Sequence, residues 1–337
     1  MKRPFFYFSL FCLLVLPVSQ LFAADEPAPT AATAPAADNT EPELHFPGVG
    51  GLTVFHNYFS HNVENLSRRI DSFFGTTRAY EESSGTYLLL RGSVIYGRGG
   101  AVDYDGQVRA HFDLPNLSDR LNLLIESEEP DQVSTDGLTT GNSTLSRTIN
   151  NQDLAASLQY ILRSTGLWDV RLQPGIKLKW VPDPFIRARF RWLHPLSTTW
   201  LNRVTFIPGW YSSRGWEGRL RYDLERGTGG ESLFRSSTEL VWLVDEPQNL
   251  VWTEGLLYAH PWGHRALLAY DLGVSGETDP KFQDTGYYAS IRYRRDIHLG
   301  WIFLEVKPQL EFLRDDDFKP NPSIALTLEM LFGGRYL

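Results

Sequence analysis

Cysteine is all but missing from this 337-residue chain, which has one, and methionine is limited to two. The single Cys12 lies in a leader-like segment, so the mature chain offers no thiolate for nucleophilic catalysis, no disulfide framework and no Cys-ligated zinc. Basic excess is lacking too: 40 acidic against 32 basic residues give a net charge of −8, which argues against a general nucleic-acid binder. The apolar fraction of 42% is ordinary, which fits neither a bundle of membrane-spanning helices nor a wholly disordered chain. What the chain has in abundance is aromatic residues, 13% of the total with 10 Trp, 15 Tyr and 20 Phe.

Residues 1–23 begin with Lys2 and Arg3, continue through an apolar run from Phe5 to Val18 and reach Leu21-Phe22-Ala23, the layout of a cleaved secretory signal peptide. Residues 24–52 are rich in Ala, Pro, Thr and acidic side chains and read as a disordered periplasmic tether. Over residues 53–75 the apolar Phe55, Tyr58, Phe59, Val63, Leu66, Ile70, Phe73 and Phe74 recur at steps of three and four, which predicts one amphipathic helix ending before Gly75. Three placements stay open for it: packed on its own domain, lying at a membrane interface, or plugging a pore.

Beyond residue 84 the period becomes two. Val102, Tyr104, Val108, Ala110 and Phe112 alternate with Asp103, Asp105, Gln107, Arg109 and His111, and Trp168, Val170, Leu172, Ile176 and Leu178 alternate with Asp169, Arg171, Gln173 and Lys177. A soluble sandwich also alternates, so the position of the Trp residues discriminates. Trp168, Trp180, Trp192, Trp200, Trp210, Trp216 and Trp242 fall at the ends of apolar faces. Ten residues at about 3.3 Å each, tilted by about 40–45°, rise roughly 23–25 Å, the height of a membrane's apolar band. These seven are the expected membrane-interface girdle. The fold class is therefore all-β: a transmembrane antiparallel β-barrel over residues 84–332, followed by a short tail, 333–337.

Fourteen strands are expected, near 86–96, 102–114, 121–128, 155–163, 168–180, 185–193, 200–211, 215–225, 233–243, 249–259, 265–274, 285–294, 301–312 and 323–332, with twelve as the alternative. The stretch 250–259 is ambiguous, because one register turns Glu254 toward lipid and the other turns Trp252 and Tyr258 into the lumen. Pro174, Pro208 and Pro308 interrupt outward-running strands and suggest bulges. The final run from Ser323 to Phe332 resembles the terminal assembly signal of outer-membrane barrels, but extends five residues past Phe332. Through Arg69-Ile70-Asp71-Ser72-Phe73-Phe74, Pro182-Asp183-Pro184-Phe185-Ile186-Arg187-Ala188-Arg189 and Leu328-Glu329-Met330-Leu331-Phe332, the chain resembles an uncharacterised group of proteobacterial outer-membrane barrel proteins. That resemblance implies the fold, the Gram-negative outer membrane as location, and contact with the barrel-assembly machinery; it implies no activity.

With the polar faces turned inward, the expected pore-lining bases are Arg171, Lys177, Lys179, Arg187, Arg189, Arg191, Arg203, Arg219, Arg221, Arg292 and Arg294, with Arg163 in the same group. The expected pore-lining acids are Asp103, Asp105, Asp113, Glu126, Glu305, Glu311 and Glu329. A basic wall facing an acidic one would set a transverse field favouring small polar or zwitterionic solutes, as in a monomeric porin-like channel. The opposing expectation is that these charges pair across neighbouring strands, Arg219 or Arg221 with Glu217, Asp223 or Glu239, and fill the interior. A docking barrel that engages a periplasmic protein through its N-terminal segment is a further reading, and a lipid-modifying enzyme a third; no His lies beside a Ser in a lipase-like pattern. Outer-membrane lipid and lipopolysaccharide are the expected surroundings. No cofactor and no nucleic-acid partner are expected. His260 and His264 have a metal-like spacing across a proline-broken turn without a third ligand, and Asp315-Asp316-Asp317 reads as a solvated external loop.

Overall fold

The structure is a computed structural model that describes residues 63–75, 85–114, 120–127, 154–165, 167–213, 215–229, 231–243, 250–263, 265–279 and 281–333. The leader, the tether, residues 53–62 of the expected helix, His264 and residues 334–337 of the expected tail lie outside these, while Gly333 ends the last strand. The helix is α1, Val63–Phe73. The strands are β1 Tyr87–Tyr96, β2 Val102–Asp113, β3 Leu121–Glu126, β4 Leu154–Ser164, β5 Trp168–Leu178, β6 Asp183–Pro195 and β7 Trp200–Tyr211. They continue as β8 Gly215–Thr228, β9 Ser232–Leu243, β10 Leu250–Pro261, β11 Ala266–Glu277, β12 Gln283–His298, β13 Ile302–Leu313 and β14 Pro320–Gly333.

Each strand pairs antiparallel with its sequence neighbours, and β1 closes the ring on β14 from Tyr87↔Gly333 to Tyr96↔Ile324, so the barrel has fourteen strands and no edge. Burial is inverted relative to a soluble protein. Leu256, Leu272 and Leu326 on the outward positions are 46%, 53% and 45% exposed, whereas inward-pointing Arg203, Arg235, Arg294, Lys177, Glu225 and Glu329 are at most 1% exposed. Apolar surface on the outside and charge on the inside exclude the sandwich and identify a barrel built to stand in lipid.

The ambiguous β10 is resolved by its register. Glu254 pairs with Thr238 on β9 and Val274 on β11, all on the outer face, so Trp252 and Tyr258 also point outward. The Thr238 hydroxyl donates to Glu254 at 2.9 Å. The expected proline bulges are not formed. The registers β4–β5, β6–β7 and β12–β13 run unshifted past Pro174, Pro208 and Pro308, and each proline instead leaves a two-residue gap in the ladder toward the preceding strand. A proline lacks the N–H that would bond on that side, while its pairing with the following strand is intact. The register does shift between Ile161 and Arg163, which sets Arg163 opposite Val170 on the outer face. Arg163 is therefore exposed at the rim rather than in the lumen as expected.

Candidate functional site: the lumen and the helix across its mouth

Helix α1 presents Val63, Leu66, Ser67, Ile70 and Asp71 as buried positions, a stripe at helical spacing. Val63, Leu66, Ile70 and the following Phe74 pack with Leu193, Leu201, Leu233, Leu257, Ala259 and Ala269. Every one of these wall residues points inward and stands a few positions from a turn joining an even strand to the next odd one. The helix thus lies inside the barrel, at the mouth where β1 begins and β14 ends. Val63 and Leu66 approach Gly227 of β8, and the Gly75 carbonyl accepts from Arg91 Nη2 of β1 at 2.5 Å. In a ring of fourteen, β8 and β1 are diametrically opposed, so α1 bars the mouth from side to side.

Its polar anchor is Arg235 on β9. The guanidinium donates to Asp71 Oδ1 at 2.9 Å and Oδ2 at 2.7 Å, to Ser67 Oγ at 2.8 Å and to Glu225 Oε1 at 3.0 Å. A fully buried cation is tolerable only when its donors are filled in this way. Past the helix C-terminus, Arg294 Nη1 donates to the Phe74 carbonyl at 3.3 Å, Arg292 lies over the Phe74 ring at 5.5 Å, and Phe73 meets Phe303 edge-on at 5.6 Å. Arg294 and Arg91 both bind Glu329, Arg91 Nε at 2.8 Å. The helix carbonyls and the closing seam of the barrel therefore share one network.

The lumen is lined further by ion pairs, most of them across strands. Arg219 meets Glu239 at 3.4 Å, Arg221 meets Asp223 at 3.0 Å and Glu239 at 3.8 Å, Arg292 meets Glu305 at 3.4 Å, Arg109 meets Glu126 at 3.6 Å and Arg203 meets Glu225 at 3.8 Å. The densest cluster surrounds Asp169, which accepts from Arg171 Nε at 2.9 Å and Arg189 Nη2 at 3.0 Å and stands 4.0 Å from Arg191 Nη2. Arg171 also donates to Gln159 at 2.9 Å and Arg187 to Gln173 at 2.8 Å. Lys177 sits over the Tyr211 ring at 4.9 Å. Glu311 accepts from Gln309 at 2.6 Å. Asp103, Asp105 and Asp113 lie on the inward face of β2, and His111 there packs on the Tyr87 ring at 5.3 Å.

Of the expected pore-lining residues, Lys179 alone lies outside the strands, exposed in the bend after β5, and Trp180 follows it fully exposed. Trp168, Trp192, Trp200, Trp210, Trp216 and Trp242 all point outward from strand termini; Trp168 stacks on Trp192 at 5.9 Å. The residues that sequence reasoning missed are Arg235, Glu225, Asp169 and the helix pair Ser67 and Asp71. A signal existed: Ser67 and Asp71, four apart, interrupt the otherwise apolar face of the helix.

No protein-family model matches the chain, and no curated protein matches it. Among solved structures, it is similar to the low-pH structure of Pseudomonas putida OprB, 13% identical with a TM-score of 0.45, covering 76% of this chain and 95% of that one. It is also similar to a bacterial polysaccharide outer membrane secretin, 11% identical with a TM-score of 0.44, covering 73% and 98%. Outer-membrane expressed OmpT of Vibrio cholerae is 8% identical with a TM-score of 0.43, covering 73% and 97%. Likeness at that level carries no inference about activity.

Proposed function

We propose that the protein is an outer-membrane channel of the porin type, acting as a monomer, that passes small polar or zwitterionic solutes and whose periplasmic mouth is barred by α1. The observation that carries this reading is the uneven charge of the lumen wall beyond its apolar contacts with α1. On β5 to β7, Arg171, Lys177, Arg187, Arg189, Arg191 and Arg203 face inward against Asp169 and Asp183. On the opposite side, β13, β14, β1 and β2 carry Glu305, Glu311, Glu329, Asp103, Asp105 and Asp113 against Lys307, Arg91 and Arg109. Local pairing neutralises part of each wall and leaves a difference of sign between them, which orients a dipolar solute and disfavours an apolar one.

The placement in the outer membrane rests on the leader-like sequence and the apolar exterior, with the start of β1, the end of β14 and α1 on the periplasmic side. The test is single-channel recording in planar bilayers of the mature protein and of a version lacking residues 24–75. The expected result is low conductance for the first and larger steps for the second. Bilayers that stay closed with both proteins over long recordings would refute the channel.

A further inference from the structure

The rim that carries the even-to-odd turns has five described exposed arginines, and beside Arg120 before β3 four of them stand apart: Arg163 at the end of β4, Arg226 at the end of β8, Arg265 between β10 and β11, and Arg295 near the end of β12. No described carboxylate pairs with the guanidinium groups of these four. The described acid outside the lumen at this end is Glu231, half-buried; Asp296, register partner of inward-facing Phe303, is engaged by the Gly300 N–H at 3.0 Å. The opposite rim is mixed, with exposed Asp315, Asp316 and Asp317 among its lysines, one of which, Lys319, lies 3.3 Å from Asp317.

The basic rim is also furnished for interfacial depth. Arg226 lies over the Trp200 ring at 5.0 Å, the two being register partners on the lipid-facing side. The ring holds the guanidinium by cation–π attraction, its N–H groups donate to no described residue, and a planar fork of N–H donors fits the oxygens of a phosphate. One strand away, His194 stacks on Trp192 at 5.3 Å. Indole rings settle where acyl chains give way to headgroups, which is the depth of the lipid phosphate.

We infer that this rim is a binding surface for anionic phospholipid headgroups, with Arg226 on Trp200 as its best-formed seat. The inference rests on the proposed orientation, in which this rim faces the phospholipid leaflet. A zwitterionic headgroup carries its own cation and gains nothing net from four arginines, so the surface selects by charge.

The test is native mass spectrometry of the detergent-solubilised mature protein titrated with phosphatidylglycerol and, separately, with phosphatidylethanolamine. Phosphatidylglycerol should bind more tightly. Arg226→Gln should weaken it about fivefold, the share of one arginine at an anionic surface, and Arg226→Lys by less. Replacing Arg163, Arg226, Arg265 and Arg295 together by Gln should remove most of the preference, while replacing Arg98, Lys179, Lys281 and Lys319 on the other rim should leave it. Heat-modifiable gel mobility confirms that each variant is a closed barrel. Equal binding of the two lipids by the unaltered protein, or an equal loss in the other-rim variant, would overturn the inference. So would displacement of bound lipid by millimolar inorganic phosphate, which would make the seat a free-phosphate site. Conductance plays no part in this readout, so a closed pore would leave it standing.

Discussion

Replacing Arg235 by Met should turn a barred channel into a flickering one. In the folded protein Arg235 is fully buried and makes the four hydrogen bonds to Asp71, Ser67 and Glu225. Removing one partner of such a buried pair costs about 3–5 kcal/mol, because the carboxylate left behind is neither paired nor hydrated. Glu225 stays in the wall whether the helix is docked or not, and keeps Arg203 at 3.8 Å. Asp71, by contrast, regains water when the helix leaves. Most of the penalty therefore falls on the docked state, and the equilibrium between docked and released helix should shift by roughly 10² to 10³. Docking still retains the apolar contacts of Val63, Leu66, Ile70 and Phe74 at about 1.5–3 kcal/mol each, so the helix should remain docked most of the time. Open fraction in single-channel records is the assay, with the 24–75 deletion as the fully open reference. Arg235→Met combined with Asp71→Leu replaces the ion pair by apolar groups and should bring the open fraction back toward the original. If Arg235→Met gates like the unaltered protein while the deletion opens, the ion pair does not hold the helix. If the double variant is as open as the single one, the effect comes from a distorted wall rather than from docking.

Converting Arg171, Arg189 and Arg191 together to Gln removes three cations from around Asp169. The reversal potential of the 24–75 deletion in a salt gradient should move toward cation selectivity, and no movement would mean that this wall does not face the permeation path. Gly218→Val should lower the urea midpoint of unfolding, by a destabilisation of about 1–3 kcal/mol, because a Cβ there would come within 1.9 Å of the Trp242 ring. Gly229→Ala, where a Cβ meets nothing within 4 Å, serves as the control. Glu254→Leu with Thr238→Val should raise stability in lipid by about 1–2 kcal/mol, since it removes a carboxylate and a hydroxyl from the apolar band. A loss of stability instead would show that another group meets Glu254 there.

The barrel was legible because each strand is nearly as long as the bilayer is thick, so the two-residue period persists over enough positions to be unmistakable; β7, read as 200–211, is found as Trp200–Tyr211. Legibility failed where one face is mixed. In β9 the outward positions include Ser236 and Thr238 and the inward ones include Leu233 and Val241, so Arg235 did not stand out as a lumen residue. Arg163 was misplaced because a one-residue register shift reverses the faces beyond it, and nothing in Tyr160-Ile161-Leu162-Arg163 marks that shift. The prolines misled in another way. They lie in strands whose neighbours on both sides continue, so a missing N–H is absorbed as a local gap in one ladder and needs no extra residue.

The position of α1 was undecided among three placements, yet the barrel carries the complement of its apolar face. At the inward positions nearest the turns the wall ceases to be charged: Leu193 and Leu201 flank one turn, Leu233 follows the next, and Leu257, Ala259, Leu267 and Ala269 surround the one after. A water-filled mouth would gain nothing from this apolar strip, and exposing it to water would cost the burial energy of several Leu side chains. A helix left at the membrane interface would bury Asp71 in headgroup and acyl chain without a partner, whereas the lumen supplies Arg235 opposite it and Gly227 beside Val63 and Leu66. The apolar strip on the wall and the polar interruption on the helix face are each hard to account for alone. Together they specify one docked geometry, in which hydrophobic burial supplies most of the affinity and the buried guanidinium fixes which turn of the helix meets β9.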